Sequence, residues 1–403
     1  MLEKSQIRHL IKAKNLKAAG DVQEVLKEMF KDVLQEMLEA ELEEELGYSK
    51  YDWKNKPGKN SRNGHFRKQV KSSYGQMELK IPRDRESQFE PVVVAKHQSD
   101  VSSLEEKVLS MYARGMSTRD ITAQMEEMYG IEMSADTVSR ITDKVLPLVK
   151  QWQDRPLEEL YPIVYFDGLR VKLREEGKCI QKTAHIIIGI DLNGHKDVLG
   201  IWLAETESAR FWLEVLNELK NRGVKDILIS CVDGLTGFEK ALRSVYPQTQ
   251  VQRCILHQVR NSCRFVNWKD RKELCRDMRR IYQSPTESLA LEQLGDFAKK
   301  WEGKYGYAVK SWYENWESLA TFFQYSPEIR RLIYTTNPIE SYNRSLRKYL
   351  KTKGAFPSEQ SLLKMLYLAT CQITDQWNQR VNNWSLIISQ LTIHFQERMT
   401  TYF

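Results

Sequence analysis

The sequence predicts an α/β core interrupted by an all-α insertion, preceded by a mainly helical region that carries a basic β-hairpin. Three observations lead there. Residues 156–253 read as three strands in succession, then helix, strand, helix and strand. Residues 254–333 are helical in pattern and rich in aromatics, and residues 1–150 combine amphipathic helices with two short basic strands. At 403 residues the chain exceeds the ~100–200 typical of one domain, so two or three are expected.

Composition excludes several classes. Hydrophobic residues at 41% and charged residues at 29% do not describe a disordered or collagen-like chain. No apolar run approaches the ~20 residues of a membrane span. The amino terminus, MLEKSQIRHLIKAKNLK, lacks the apolar stretch of a secretory signal. Six cysteines (179, 231, 254, 263, 275 and 371) are too few and too irregular for a disulfide framework, which favours a reducing, cytoplasmic setting. The net charge of +7 is unevenly spread. Residues 51–85 carry ten Lys/Arg against three Asp/Glu, residues 253–283 nine against three, and residues 341–353 five against none. Basic segments set apart along a chain point to a polyanion held at several places; taken singly, each run also reads as a solvated face.

Within residues 1–48, Val22, Leu26, Met29, Val33 and Met37 recur at spacings of three and four, an amphipathic helix over 21–46 that Gly47 ends. Its acidic tail, Glu43 to Glu45, reads as a solvated end, and the helix is a candidate oligomerisation surface. Residues 49–64 form a turn-rich basic linker. FRKQVKS and QMELKIP then make a basic hairpin over 66–82, turning at Ser73–Gly75. Residues 104–146 hold three helical segments. The second follows Ser117 and stops at Gly130; the third starts from an N-cap at Ser134 and runs through Val145. The short GIEM turn fits a helix-turn-helix, with Ser134, Thr137, Ser139 and Arg140 near DNA; a three-helix domain without DNA contact is the alternative. Residues 49–150 are thus the expected DNA-binding region, with Arg62, Arg67 and Lys68 as its hairpin contacts. Pro147 and the polar WQDRP stretch mark a boundary near 155.

Beyond it, PIVYFDGLRVKL, TAHIIIGID and DVLGIWL are β-rich runs separated by turn signals. A helix over Ser208–Asn221, the apolar strand ILISCV, a helix over Gly237–Val245 and the short strand VQRC follow. That order is ribonuclease H-like. Residues 156–253 supply that order, residues 254–333 follow as a helical, aromatic-rich stretch, and residues 334–403 hold helices at 338–351, 359–377 and 383–398.

Three carboxylates stand out by position. Asp167 lies mid-strand among apolar residues, Asp233 ends an apolar strand, and Glu340 opens a late helix. A buried carboxylate is costly unless paired or metal-bound. Oxygen-only ligands suit Mg²⁺ or Mn²⁺, and two such ions serve phosphodiester displacement. Each acid also has a plainer reading: Asp233 precedes Gly234 as in a turn, and Glu340 with Asn337 and Pro338 makes a capping box. Arg344, Arg347 and Lys351 follow Glu340 on one helix face, with Ile339, Tyr342, Leu346, Tyr349 and Leu350 spread over the other. Cys254 and His257, with Cys263 and Cys275 downstream, leave a structural zinc site as a weaker alternative. There is no phosphate-binding GxxxxGK[ST] loop and no GxSxG elbow, so nothing supports a nucleotide cofactor or a serine nucleophile.

Ordered blocks such as NSRNGHFRKQVKSSYGQMELKIPRDR, SMYARGMSTRDI, YPIVYFDGLRVK, ELKNRGVKDILISCVDGLTGF, YPQTQVQRCILHQVRNS and PEIRRLIYTTNPIESYNRSLRK resemble the Mutator-type bacterial insertion-sequence transposases over nearly the whole chain. The resemblance implies a DDE transposase whose catalytic, metal-binding acids are Asp167, Asp233 and Glu340. It also implies a ribonuclease H-like core with 156–253 as its first part, 254–333 as a helical insertion and 334–403 as its last part. It matches the family's Cys-x-x-His element to Cys254 and His257, acting near the DNA strand rather than binding zinc. Arg260, Asn337, Arg344, Arg347 and Lys351 are the DNA contacts expected beside them. Two Mg²⁺ ions, double-stranded DNA (terminal inverted repeats and target), at least a homodimer, and a bacterial cytoplasmic, nucleoid-associated location follow as expectations. Water would cut a strand, and the freed 3′-hydroxyl would attack target DNA. Gly168 and Pro338 stand where alanine is more usual, and neither removes a ligand. A helix-turn-helix regulator would leave the strand-end acids unexplained; a repair nuclease would need no end-binding region.

Overall fold

The computed structural model describes residues 14, 19–50, 52, 56–72, 75–95, 104–129, 131–334, 337–351 and 353–402. The start of the chain, the expected turn residues Ser73 and Tyr74, and the helix stop at Gly130 lie outside the described residues. Contacts divide the chain into two units, Met1–Asp143 and Lys144–Phe403.

In the first unit, helix α1 (Ala19–Leu46) packs on an antiparallel hairpin of β1 (Arg62–Ser72) and β2 (Gly75–Asp84). The strands are longer than their apolar alternation suggested. Leu34 and Leu38 of α1 meet Val70, Met77, Leu79 and Ile81, one face of the pleated ribbon. A two-stranded ribbon is marginal by itself, and a helix on one face supplies the missing burial. The Gln35 amide brackets Lys80 like an extra strand, donating to its carbonyl at 2.6 Å and accepting from its N–H at 3.0 Å.

The helix stands where its spacing predicted, and one expectation, for its acidic tail, is corrected. The helix buries Val25, Leu34, Leu38, Leu42 and Leu46, whereas Val22, Leu26, Met29, Val33 and Met37 form a second, exposed stripe. The acidic tail is not merely solvated. Glu43 and Glu39 clamp Arg62, at 3.1 and 2.8 Å, and Glu41 accepts the N–H groups of Val92 and Val93.

Helices α2 (Leu104–Ala113), α3 (Thr118–Tyr129) and α4 (Ala135–Asp143) pack around Val108, Tyr112, Ile121, Met125, Val138 and Ile141. Ser117 and Asp120 cap α3 reciprocally, each side chain accepting the other's N–H. The Ser134 hydroxyl accepts from Thr137 N–H at α4.

The second unit begins earlier than the expected boundary near 155. Pro147 sits in the first turn of helix α5 (Leu146–Asp154), where its missing N–H has no consequence, so it opens a helix instead of ending one. Trp152 of that helix packs on Tyr367, and Gln153 bonds Ile201 and Glu218, which anchors α5 in the second unit.

Its sheet holds β3 (Leu160–Glu175), β4 (Lys178–Ile190), β5 (Lys196–Ala204), β6 (Asp226–Val232) and β7 (Gln250–Arg253) in the order β5-β4-β3-β6-β7. The first three strands pair antiparallel, and β6 and β7 join parallel. Helices α6 (Ala209–Asn221) and α7 (Phe238–Val245) cover one face, burying Trp212, Leu216, Phe238 and Leu242 against Val164, Phe166 and Ile187. After β7 come α8 (Ile255–Ser262), α9 (Trp268–Tyr282), α10 (Glu287–Glu314, kinked at Tyr305), α11 (Trp316–Ala320) and α12 (Pro327–Ile333). The chain then returns as α13 (Asn337–Leu350), α14 (Glu359–Thr374), α15 (Trp384–His394) and α16 (Gln396–Met399). No helix among the described residues is long and apolar enough to cross a membrane.

His185 lies in this core with neither ring nitrogen hydrogen-bonded, against the rings of Phe211 and Trp212 at 4.9 Å. Gly168 is its partner across the strands: a Cβ there would meet the imidazole in ordinary contact at 3.6 Å but the Thr183 methyl at 2.8 Å. This accounts for glycine at that position. Burial lowers the His185 pKa from 6.5 to about 4, so the unfolded chain binds the proton first. Its contribution to stability is fully present above about pH 6.5 and is lost as pH falls towards 4, by up to about 3 kcal/mol at 1.36 kcal/mol per unit. Denaturant titrations at pH 7 and 5 should therefore show a smaller loss for His185→Phe than for the parent. Equal losses would contradict this account.

Candidate active site

Strand register builds the site. Phe166 pairs with Val232 across the parallel β3–β6 ladder, and the next residue in each strand is an aspartate. Asp167 and Asp233 are therefore neighbours. On the other side Val232 pairs with Arg253, and the next residue, Cys254, donates its N–H to the Val232 carbonyl at 2.7 Å. Helix α8 starts there, so His257 and Arg260 point one and two turns along the same face towards the acids.

Helix α13 crosses β3 and closes the arrangement. Asn343, fully buried, donates from Nδ2 to Asp167 Oδ2 at 2.6 Å. One turn earlier, Glu340 Oε1 accepts from Arg260 at 2.9 Å. Ile339, Tyr342 and Leu346 fix the helix from behind, all buried as their spacing predicts, with the Tyr342 hydroxyl on Thr370. Asp167, Gly168, Asp233, His257, Arg260, Glu340, Arg344 and Arg347 together line a polar cleft of about 200 Å³.

The two aspartates differ in support. Asp167 has both oxygens engaged, Oδ1 by the Gly168 N–H at 2.7 Å and Oδ2 by Asn343. Asp233 Oδ1 is buried without a partner, and Oδ2 lies 4.0 Å from His257. Burial first, then the Asp167 charge, pushes Asp233 up to about 7. The Cys254 thiol, then the two aspartates, raise the pKa of His257 against its own burial.

Among the described residues no three His, Cys, Asp or Glu side chains converge closely enough to cage an ion as they stand. Two acids are adjacent, and the third is drawn to Arg260. The donor set nevertheless fits a hard divalent cation: carboxylate oxygens only, one of them buried and unpaired, with a third carboxylate on the same cleft. It does not fit zinc, because Cys263 and Cys275 pair with each other at 3.3 Å, at the far end of α8 from Cys254.

The other expected residues separate. Arg344 and Arg347 line the cleft, while Lys351 is exposed beyond it. The Asn337 side chain lies outside the described residues, and the Glu340 carboxylate faces Arg260 rather than the helix start. Cys254 is 2% exposed, so its thiol supports His257 and offers DNA no surface. In the first unit Arg67 is open to solvent, with Glu78 at 3.7 Å. Arg62 is spent on α1, and Lys68 donates to the Ala95 carbonyl at 2.8 Å. Ser134, Thr137 and Arg140 form one hydrogen-bonded row on α4. Asn343 was missed in the sequence. The available signal was its place one turn after Glu340 on the same face, beside the apolar column.

The family model described as "Transposase, Mutator family" matches residues 1–380. The chain is 43% identical to the transposase for insertion sequence element ISRM3 of Rhizobium meliloti, covering 84% of this chain and 85% of that protein. It is 37% identical to a probable insertion-sequence transposase of Corynebacterium diphtheriae, over 80% and 100%. Identity to the IS256 transposase of transposon Tn4001 from Staphylococcus aureus is 30%, over 78% and 82%.

Removing the Asn343 amide strips a buried carboxylate of its partner, and such losses cost about 1–3 kcal/mol. Asn343→Ala should lower unfolding free energy by that amount in urea, and an unchanged midpoint would show that the bond does not hold Asp167.

Proposed function

Because the chain belongs to the Mutator family of transposases, we propose that it binds the terminal inverted repeats of its own element, cuts a DNA strand at the Asp167–Asp233–Glu340 cleft, and joins the freed 3′-hydroxyl to target DNA. The observation that carries this reading is the register of β3 and β6, which sets two carboxylates side by side in a cleft that Glu340 and three arginines also line. We read the sheet order as ribonuclease H-like and residues 254–333 as its helical insertion. The β5-β4-β3-β6-β7 arrangement and the helices between the second acid and the third support that reading.

Asp167, Asp233 and Glu340 would hold two Mg²⁺ ions, with Mn²⁺ as a substitute and no nucleotide cofactor. Bound there, the ions supply Lewis-acid stabilisation to the oxygens of a phosphodiester in displacement. The chain's own groups do the rest. Asn343 keeps Asp167 oriented, and Arg344 and Arg347, one and two turns beyond Glu340, present guanidinium forks to the phosphates of the bound strand. Arg260 can serve both Glu340 and a phosphate. No Ser, Thr, Tyr or Cys lines the cleft among the described residues, which supports attack by water and then by the 3′-hydroxyl without a covalent protein–DNA link.

Repeat recognition falls to the first unit, where the row Ser134, Thr137 and Arg140 would enter a major groove and Arg67 of the hairpin would meet a phosphate. Working on two ends requires at least a homodimer, and the exposed α1 stripe is the surface we assign to it.

Glu340→Gln keeps shape and removes charge. It should fold and bind repeat DNA like the parent but lose roughly a thousandfold or more in metal-dependent cleavage, several kcal/mol at ~1.36 per tenfold. Cleavage within a few-fold of the parent would remove Glu340 from the acids. A fragment Met1–Asp143 should bind repeat DNA with affinity falling steeply as salt rises. Binding no tighter than a neutral control protein would refute the assignment of that unit.

A further inference from the structure

The loop joining α8 to α9 exposes two large aromatic rings. Trp268 is 84% exposed, the one exposed indole among the described residues, and Phe265 is 70% exposed. A loose loop would fold such rings inward. This one is braced from beneath: Tyr307, at the far side of the α10 kink, accepts the Phe265 N–H at 3.2 Å and donates to the Ser262 carbonyl at 2.7 Å. Tyr305, at the kink itself, accepts the Asn267 N–H at 3.2 Å and donates to Asp270. The two phenols fix the backbone on either side of Phe265 and Trp268, so both rings are held out. The Tyr307 ring also packs edge-on to Phe265 at 5.7 Å, and the Arg264 guanidinium lies over the same ring.

The surroundings are cationic. Arg264, Lys269, Arg271 and Lys272 are exposed, and none makes an ion pair among the described residues. The one acid between them, Asp270, is taken by Lys304. Fixed aromatic faces amid unpaired cations match nucleic acid that offers both bases and phosphates; the centre of a protein interface is depleted of charge. Paired bases hide their faces, so the rings fit bases that are unstacked. The position suits this. Helix α8 has eight residues, so at ~1.5 Å per residue the loop stands roughly 12 Å along the helix from Cys254 at the edge of the site. That is at most about four nucleotides along a strand leaving the cleft, since ~3.4 Å is the stacked rise and an unstacked strand spans more per nucleotide.

We propose that Phe265 and Trp268 form a stacking platform for unpaired nucleotides flanking the cut, with Arg264, Lys269 and Lys272 on their phosphates. This deepens the transposase reading and rests on it. The test uses the full chain and two fluorescent probes, an oligothymidylate and a blunt mixed-sequence duplex, at low salt. Stacking contributes about 1–3 kcal/mol per base, so Trp268→Ala and Phe265→Ala should each weaken oligothymidylate binding roughly five- to a hundredfold. Duplex binding should stay within about twofold, and Trp268→Phe should recover most of the loss. Parent-like oligothymidylate binding by the double alanine variant overturns the platform. So does an altered oligomeric state with unchanged DNA affinity, which would mark a protein-docking surface. Cleavage of repeat DNA by the parent, run alongside, separates the two readings: if the parent cuts and the variants bind like it, only the platform falls.

Discussion

Two like charges on adjacent parallel strands are the constraint on which the second unit depends. The pairing of Phe166 with Val232 leaves Asp167 and Asp233 no freedom to avoid each other, because a parallel ladder brings equivalent positions to the same level. Asp167 is buried and Asp233 half-buried, and among the described residues neither pairs with a lysine or arginine. The sheet tolerates this because its other face is rich in apolar contact: Phe166, Trp212 and Phe238 interlock with ring centroids 4.6–6.2 Å apart. Stability is drawn from one face and spent on two crowded carboxylates at the other.

The groups around the aspartates divide that charge without cancelling it. Asn343 satisfies one oxygen of Asp167 with a neutral donor, and His257 stands 4.0 Å from Asp233. Arg260 goes to Glu340 instead, across the cleft. A site meant only to be stable would pair the aspartates with the nearest guanidinium. Here the cation goes to the outermost acid, and Asp233 Oδ1 stays buried without a hydrogen-bond partner among the described residues. Helix α13 enforces the geometry, because Glu340 and Asn343 are one turn apart and cannot shift independently while Tyr342 and Leu346 are locked in the core.

Much of this was legible. Asp167 and Asp233 stood out because each interrupts or ends an apolar β run, although a turn at Asp233–Gly234 read as well, and the apolar face of α13 followed from its spacing alone. The order of strands gave the sheet's composition but not its register, and register is what makes the acids neighbours. What the sequence hid has a common cause. Arg62 and Lys68 look like surface cations, but pairing depends on which distant segment folds over them, here α1 and the Ala95 carbonyl. On α1 the stripe that periodicity picked out is real but exposed. A helix with two apolar faces gives one hydrophobic pattern, and only the hairpin's position decides which face is covered. Pro147 was misplaced for a different reason, since proline both ends helices and begins them.

The same ambiguity bears on how charge should be read along this chain. The basic runs at 51–85 and 253–283 are alike in sequence but not in structure. In the first, Arg62 is consumed by Glu39 and Glu43, so the formal excess overstates what an anion would meet. In the second, the acids Asp270, Glu273 and Asp277 are engaged by Lys300 and Lys304 from α10, cations that lie outside the run. Arg264, Lys269 and Lys272 are thereby left without ion pairs among the described residues, beside two exposed aromatic rings. Local net charge thus understates the field over the α8–α9 loop and overstates it over the hairpin. What an anion meets at either run is set by the cations left unpaired there, not by the basic residues counted.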